Sequence, residues 1–342
     1  MKTNWNGKHV LILGAARQGL ALARWLSLHG AHVTLSDMRS ADELRLVRES
    51  LAEVQIDWAL GGHPLELLDK TDVLCPSGGV PLTLPIAVEA VSRGIPLSND
   101  SQIFMEVVPC KTIGITGSAG KTTTTTLVGR MAKNVHGDKA YIGGNIGDPL
   151  INYVDNMKPD DVAILELSSF QLDQMTISPD IAVILNITPN HLDRHGTMEA
   201  YIAAKAHILE FQSKDDVAIL GHDDNCAWNL RDKVHGKLLT FSLSDLDKGS
   251  NGTYLHEGLL NLRDGNAYMP LILREKIFLR GDQNVSMRWL HLQSATLLGF
   301  RWMQCWKPLK IFMACRIAWS WSVNCAACAG TTTRPRPRLN AA

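Results

Sequence analysis

Residues 111–126 read KTIGITGSAGKTTTTT, in which an apolar run breaks into a glycine-rich turn and the turn opens a helix pattern. In such turns backbone N–H groups face phosphate oxygens, and the helix N-terminus favours the anion. Lys121 supplies a positive charge, and the Thr122 hydroxyl is a ligand that suits Mg²⁺. The stretch therefore predicts a phosphate loop for a nucleoside triphosphate. Its residues are Gly117, Ser118, Ala119, Gly120, Lys121, Thr122 and Thr123.

The glycine spacing of this turn departs from the common phosphate loop. The common form places its first glycine where this chain has Ile115, and here Gly117 takes that place. A glycine-rich strand-to-helix turn without any ligand is the alternative interpretation. That alternative does not need the Lys121–Thr122 pair, so we favour the phosphate loop.

The composition bounds the class of protein. A chain of 342 residues with 45% hydrophobic content can bury about two domain cores. The N-terminal sequence lacks the layout of a signal peptide, and no apolar run before residue 285 is long enough to span a membrane. The net charge of zero argues against a nucleic-acid partner. We therefore expect a cytoplasmic protein with neither a membrane nor a nucleic-acid partner.

The first hundred residues alternate strand and helix patterns. KHVLILG (8–14) predicts a strand, 20–29 a helix, and HVTLSD a second strand that ends at Asp37. This unit is similar to a dinucleotide-binding fingerprint with Ala16 in place of the second glycine. Asp37 and Arg39 could hold ribose hydroxyls or phosphate, and a solvated strand end is the alternative. A third strand, DVLCPSGG, closes this domain near residue 102.

The predicted fold class is α/β: an N-terminal Rossmann-like parallel sheet (1–102), then a phosphate-loop ATPase-like central domain (103–285). In the central domain Glu166 ends one apolar strand, and Asn186, Thr188 and His191 follow another. Parallel strands bring such residues to one ligand-binding edge. An acidic residue beside a phosphate loop is the usual Mg²⁺ holder, and a capped strand end is the alternative for Glu166. A lone His191 would more often be structural.

The last 57 residues have a different composition. Residues 286–342 contain 8 Lys or Arg and no Asp or Glu, together with five of the nine tryptophans and four of the seven cysteines. A basic tail for an acidic partner is one interpretation, and out-of-frame translation is the other. The Cys325–Cys328 spacing has no second ligand pair that would make it a zinc site.

The motifs of the first 285 residues resemble those of the Mur ligase family, and of its D-glutamate-adding branch in particular. They are TGSAGKTTTT, GGNIG (143–147), LELSSFQL (165–172), NITPNHLDRHGTMEAYIAAK (186–205) and LRGDQN (279–284), in the family's order. GGNIG and SSFQL favour this branch over those that add alanine, lysine or diaminopimelate.

The resemblance implies a role for each matching residue. The loop residues already named would bind ATP, with Ala119 where the family usually has Asn. Two Mg²⁺ ions would be held by Thr122, Glu166, His191 and Lys205, the last as a carbamate formed with CO₂. The implied catalytic residues are Lys121, Lys205, His191 and Glu166. The implied substrate residues are Asn145, Ser168 and Gln171 for the muramoyl part and Arg17, Gln18, Asp37, Arg39 and Gly79 for the uridine diphosphate.

The implied reaction joins D-glutamate to UDP-N-acetylmuramoyl-L-alanine in peptidoglycan precursor synthesis, through an acyl phosphate, in a monomeric enzyme. The substrate carboxylate would attack the γ-phosphate of ATP, and the amine of D-glutamate would displace the phosphate. Two alternatives remain open: a catalytically dead fragment that binds the UDP-muramoyl nucleotide, and another Mur or folylpolyglutamate-type ligase.

The resemblance stops after LRGDQN. Family members continue into a third domain that closes on ATP and binds the incoming amino acid, and we expect this domain to be missing. Codons for residues 312–320 and 325–333, read in a shifted frame, can spell the family's linker and the start of that domain. We therefore expect a frameshift near residue 286, an incomplete central domain and an out-of-frame tail over 286–342.

Overall fold

Four parallel strands build the first sheet of the computed structural model, which describes residues 3–276. They are β1 (His9–Leu13), β2 (His32–Asp37), β3 (Ile56–Leu60) and β4 (Val73–Pro76). The spatial order β3-β2-β1-β4 places β1 and β2 side by side in register, His9 opposite His32. The strands β1 and β4 are buried beyond their first residue, as expected when helices cover both faces of a parallel sheet.

Helices and one 3₁₀ segment accompany this sheet. They are α1 (Arg17–Leu28), α2 (Arg45–Glu49), the 3₁₀ segment Leu65–Lys70, α3 (Pro85–Ser92) and α4 (Asp100–Val107). Of these, α1, α3 and the 3₁₀ segment pack against its strands. The predicted third strand is in fact the fourth. The missed strand β3 is a half-exposed edge strand of sequence IDWAL, and its short mixed pattern gives no clear alternation.

A nine-stranded sheet forms the second part of the described chain, in the order β13-β12-β11-β10-β9-β8-β5-β7-β6. Its strands are β5 (Lys111–Thr116), β6 (Ala140–Gly144), β7 (Val162–Glu166), β8 (Ile181–Ile184), β9 (Val217–Gly221), β10 (Lys237–Ser242), β11 (Gly252–His256), β12 (Leu259–Asp264) and β13 (Ala267–Leu273). The seven neighbouring strands β5 to β11 all run parallel, whereas β12 and β13 form an antiparallel edge beside β11.

The helices of this second part are α5 (Lys121–His136), α6 (Ser169–Leu172), α7 (Leu192–His195), α8 (Met198–Glu210) and α9 (Asn225–Trp228). Short 3₁₀ segments occupy Gly137–Lys139, Leu150–Asn156, Asn229–Lys233 and Arg274–Lys276. Among residues 3–276, no helix combines the length and apolar character that crossing a bilayer requires.

The position of β5 between β7 and β8 determines which loops meet. Ile115 of β5 pairs with Glu166 of β7, and Thr116 pairs with Ile184 of β8. Gly144 of β6 also lies opposite Glu166. Because these parallel strands end at the same edge, the segments that follow β5, β6, β7 and β8 converge there.

The α/β class is confirmed, with a Rossmann-like parallel sheet followed by a larger α/β sheet that carries the glycine-rich loop. The domain limits stay a prediction: the limit at residue 102 falls inside α4, and the limit at residue 285 lies outside the described residues. LRGDQN, the Cys325–Cys328 pair and the predicted out-of-frame tail also lie outside them.

Candidate functional site

The predicted phosphate loop connects β5 to α5. Gly120 precedes the helix with φ +84°, a left-handed conformation that glycine adopts without strain. A Cβ on Gly117 would lie 2.9 Å from Cβ of Leu185, so the loop packs too closely on the neighbouring strand end for a larger residue. Nζ of Lys121 donates to the carbonyl oxygens of Gly117 at 2.8 Å and Ser118 at 3.3 Å. The lysine therefore folds back over the loop.

Glu166 lies beside this loop and is only 2% exposed. Its Oε2 accepts a hydrogen bond from the Thr122 hydroxyl at 2.8 Å, and its Oε1 accepts one from the Asn145 amide at 2.9 Å. Hydroxyl and carboxylate oxygens are the ligands that Mg²⁺ prefers. The donor set of Thr122 and Glu166 therefore fits Mg²⁺ at the entrance to the loop.

Lys205 reaches the same loop from α8, with its side chain almost fully buried at 1% exposure. Its Nζ lies 3.2 Å from Oγ1 of Thr116 and 3.1 Å from the carbonyl oxygen of Gly117, to which it donates. Burial, with a smaller contribution from the Lys121 charge, lowers the pKa of Lys205 to about 7. Burial also lowers the pKa of Lys121. A substantial share of Lys205 is thus an uncharged amine at neutral pH, which is the nucleophilic form.

His191 stands at the entrance to α7 in a left-handed conformation, φ 53°. It is exposed, and its ring meets Phe170 edge-on at 5.4 Å between centroids. Over residues 3–276, no three His, Cys, Asp or Glu side chains form a group that could hold a metal ion. The predicted set contains only two residues of these kinds, so the metal role of His191 stays a prediction.

The predicted muramoyl-binding residues have separate surroundings. Asn145 contacts Glu166, as described above. Ser168 caps α6, where its hydroxyl accepts from the backbone N–H of Gln171 and its own N–H donates to the Gln171 side chain. Gln171 is 4% exposed, and its amide donates to the Ser101 hydroxyl at 2.8 Å. Ser168 and Gln171 are therefore engaged with each other and with α4, and their substrate role stays a prediction.

The predicted uridine-diphosphate residues lie at the ends of β1, β2 and β4. Asp37 is 6% exposed and accepts hydrogen bonds from the backbone N–H groups of Ala15 and Arg39 and from the Arg39 guanidinium. The Arg39 guanidinium makes the largest contribution to holding the pKa of Asp37 well below its ordinary range, and these backbone donors make smaller ones. Arg17 and Gly79 are exposed at the same edge of the sheet.

Gln18 lies apart from that group, because its amide donates a short hydrogen bond to the carbonyl oxygen of Gly144. This contact joins the start of α1 to the GGNIG turn of the second sheet. The five predicted residues therefore do not form one cluster: Asp37 and Arg39 are paired, whereas Gln18 connects the two sheets.

Sequence reasoning missed two residues that contact the predicted site. Tyr201 is buried, and its hydroxyl lies 3.0 Å from that of Ser118. The Arg194 guanidinium lies over the Phe170 ring at 4.1 Å and donates to the backbone of the Gly78–Val80 turn. Asn186, which the sequence places at the ligand-binding edge without a specific role, hydrogen bonds the phosphate loop. Arg194 and Tyr201 lie inside the motif NITPNHLDRHGTMEAYIAAK (186–205), and membership of this motif was the sequence signal that could have identified them.

Comparison with known proteins identifies the family. The model "Mur ligase MurD-like, N-terminal domain" matches residues 8–99, and the model "Mur ligase middle domain" matches residues 115–268. Together they cover more than two thirds of the chain. The chain belongs to the Mur ligase family. The resemblance inferred from the motifs is thereby confirmed.

Curated relatives in the Mur ligase family include the UDP-N-acetylmuramoylalanine–D-glutamate ligase of Acidobacterium capsulatum. It is 39% identical over 296 residues, which is 86% of this chain and 64% of that protein. The ligase of the same name from Koribacter versatilis is 38% identical over 280 residues, 82% of this chain and 61% of that protein. The chain thus spans less than two thirds of the length of these relatives.

Solved structures support the fold alone. A ligase from Neisseria meningitides, described as UDP-N-acetylmuramate:L-alanyl-gamma-D-glutamyl-meso-diaminopimelate ligase, superposes with a TM-score of 0.55 at 17% identity. The match covers 86% of this chain and 94% of that one. UDP-N-acetylmuramate-alanine ligase from Thermotoga maritima gives a TM-score of 0.50 at 20% identity, covering 89% and 68% of the two chains.

Proposed function

We propose that this chain is the nucleotide-binding and substrate-binding part of a ligase that joins D-glutamate to UDP-N-acetylmuramoyl-L-alanine at the expense of ATP. The observation that carries the proposal is the convergence of Lys121, Thr122, Glu166 and Lys205 on one glycine-rich loop. The curated relatives with this printed activity support the choice of substrates. We also propose that it acts in the cytoplasm as a monomer, without membrane or nucleic-acid partners.

The chain's own residues account for the phosphate part of this chemistry. The helix N-terminus at Lys121 and the backbone N–H groups of the loop would bind the phosphate oxygens of ATP. The Nζ of Lys121 lies against the loop, 2.8 and 3.3 Å from two of its carbonyl oxygens, and would supply a positive charge there. Such fixed positive groups offset the repulsion between an anionic carboxylate nucleophile and an anionic phosphate.

Thr122 and Glu166 would hold one Mg²⁺, and Glu166, His191 and Lys205 would complete the proposed pair of metal sites. When bound, Mg²⁺ neutralises part of the charge on the transferring phosphoryl group. The Asn145 amide donates to Glu166 and so orients its carboxylate. A ligand that is itself hydrogen bonded holds its geometry better than a free one.

Lys205 would act as a carbamate, formed when its uncharged amine attacks CO₂ and loses a proton. The buried position and the pKa of about 7 support this step, because the free amine is the reacting form. The product is an anion that replaces an amine beside Lys121. It would replace the repulsion by the Lys121 charge, which contributes to the lowered pKa of Lys205, with an attraction.

Binding measurements on the purified chain test the proposal. We expect ADP to bind in the presence of Mg²⁺ and UDP-N-acetylmuramoyl-L-alanine to bind independently, both measured by calorimetry. Lys121→Ala should weaken ADP binding by about tenfold or more, because a charge-assisted hydrogen bond contributes about 1.5–3 kcal/mol. The UDP-substrate affinity should not change. Lys133→Ala, on the exposed part of the same helix α5, is the matched control.

Turnover is measured next, with ATP, D-glutamate and the UDP-substrate, by mass spectrometry of the product. Product formation would establish the complete reaction in this chain. Binding of the UDP-substrate without metal-dependent ATP cleavage would identify a binding fragment. Failure of wild-type protein to bind both nucleotides would overturn the proposal, and competition by folate would favour a folylpolyglutamate-type ligase.

A further inference from the structure

The tip of the phosphate loop is attached to the segment that follows β8. The Ala119 backbone N–H donates to Oδ1 of Asn186 at 2.9 Å, and Nδ2 of Asn186 donates back to the Ala119 carbonyl oxygen at 3.2 Å. The Ser118 N–H donates to the backbone carbonyl of Asn186 at 2.9 Å. Asn186 therefore makes three hydrogen bonds to two consecutive loop residues.

A second exchange of hydrogen bonds lies next to this one. The Ser118 hydroxyl donates to the carbonyl oxygen of Thr188 at 2.9 Å and accepts from the Thr188 backbone N–H at the same distance. The segment 186–188 thus contacts the loop through backbone and side-chain groups. The side chain of Asn186 bonds to both backbone groups of Ala119.

Within the loop, the Lys121 side chain bonds to the carbonyl oxygens of Gly117 and Ser118. The described partner of the Ala119 backbone groups is instead Asn186. The loop residues 117–120 are Gly, Ser, Ala and Gly, of which Ala119 has no polar side chain and Gly120 is in the left-handed region. Glycine-rich segments lose the most conformational entropy on ordering, so such a loop needs external partners to keep one shape. Phosphate binding uses the loop N–H groups other than those of Ser118 and Ala119, and these must already point inward, because ordering them on binding lowers the affinity.

We propose that Asn186 is a positioning residue. Its side chain hydrogen bonds to both the N–H and the carbonyl oxygen of Ala119 and so holds the phosphate loop in the conformation that binds phosphate. This inference rests on the proposed function, because it assigns Asn186 a role in nucleotide affinity. Asn186 acts through the loop and not by contact with the reacting atoms. Its side-chain amide must present both an acceptor and a donor, which restricts the position to Asn among residues of this length.

Asn186→Ala removes both side-chain hydrogen bonds and is the direct test. We expect ADP affinity to fall about tenfold, since two net hydrogen bonds are lost from the binding-competent loop. UDP-N-acetylmuramoyl-L-alanine affinity should stay within error of wild type, and the thermal midpoint should fall by only a few degrees. Amide hydrogen exchange in the peptide that contains Ser118 and Ala119 should accelerate. Asn156→Ala, at the exposed asparagine that ends a 3₁₀ segment, is the control.

Asn186→Ser is the second variant if the alanine variant folds poorly. Its hydroxyl is too short to bond both backbone groups, so it should show the same selective loss of ADP affinity. Unchanged ADP affinity in folded variants, with or without faster exchange, would overturn the inference. An equal loss of affinity for ADP and for the UDP-substrate would overturn it as well, because that pattern indicates general destabilisation. Absence of ADP binding by the wild-type chain would instead refute the proposed function.

Discussion

At the scale of single residues, the structure contains buried carboxylates that are compensated by hydrogen-bond donors and a buried amine that has no compensating opposite charge. Glu166 has a hydrogen-bond donor on each carboxylate oxygen, and Asp37 has backbone and guanidinium donors. Lys205 has only neutral oxygen partners among its hydrogen bonds, and burial lowers its pKa to about 7. Burial of an ionisable group without a nearby opposite charge favours its neutral form, whereas burial beside an opposite charge favours its ionised form.

Asp37→Asn tests this compensation at the end of β2. Because the pKa of Asp37 is lowered by Arg39 and the backbone donors, its stabilisation is present above the ordinary carboxyl pKa and is lost as the pH falls through the folded value. We expect the substitution to cost about 2 kcal/mol of unfolding free energy near neutral pH. The difference between the two proteins should shrink below about pH 4. Urea unfolding across this pH range measures it, and a pH-independent difference would contradict the assignment.

At the scale of elements, close approach of strand ends determines the shape of the site. Gly144 ends β6 with φ +93°, and a Cβ there would lie 2.4 Å from the carbonyl oxygen of Glu166. Only glycine permits β6 and β7 to run this close at the point where Glu166 turns toward Thr122. The same glycine also offers its carbonyl oxygen to Gln18.

Gly144→Ala should therefore destabilise the protein by about 3 kcal/mol or more, because left-handed strain adds to a backbone clash. Gly258→Ala is the matched control: Gly258 also has positive φ, +75°, but a Cβ there meets nothing within 4 Å. We expect the control to lose only about 1–2 kcal/mol. Guanidinium unfolding of both variants gives the comparison. Equal losses would show that the strand ends separate easily.

At the scale of the whole molecule, side chains from each sheet reach the backbone of the other. Gln18 donates to Gly144, and the Asn99 amide donates to the Gln171 carbonyl oxygen at 2.8 Å. Arg194 donates to the carbonyl oxygens of Gly78 and Val80 at 3.4 and 3.3 Å while it stacks on Phe170. These contacts orient the predicted uridine-diphosphate turn relative to the phosphate loop.

Arg194→Met should loosen the turn after β4 without unfolding either sheet. We expect amide exchange in the peptide containing Gly78–Val80 to accelerate about three- to tenfold, since local opening costs less free energy once these contacts are lost. Exchange over residues 111–116 should not change. Arg231→Met is the matched control, because Arg231 stacks on Trp228 and donates to Trp228 and Asn229 in its own neighbourhood. Equal effects in both variants would contradict a specific role for Arg194.

Much of the fold could be predicted from the sequence, because its signals are local. The apolar run before Gly117, the small residues of the turn and the helix pattern after Lys121 lie within sixteen consecutive residues. The same holds for β1, α1 and β2, whose order defines a parallel unit. Strand β3 was missed because an edge strand is only partly buried and so lacks a strong apolar pattern.

The sequence by itself determined the α/β class, the phosphate loop and the residue types that suit phosphate and Mg²⁺, since these depend on neighbours along the chain. Only the tertiary structure decided which side chains meet: Asn145 with Glu166, Lys205 with Gly117, and Asn186 with Ala119. It also separated Gln18 from Asp37 and buried Gln171 against α4. The physical reason is that strand order is non-local. The sheet places β5 between β7 and β8, and residues distant in sequence become neighbours through that pairing.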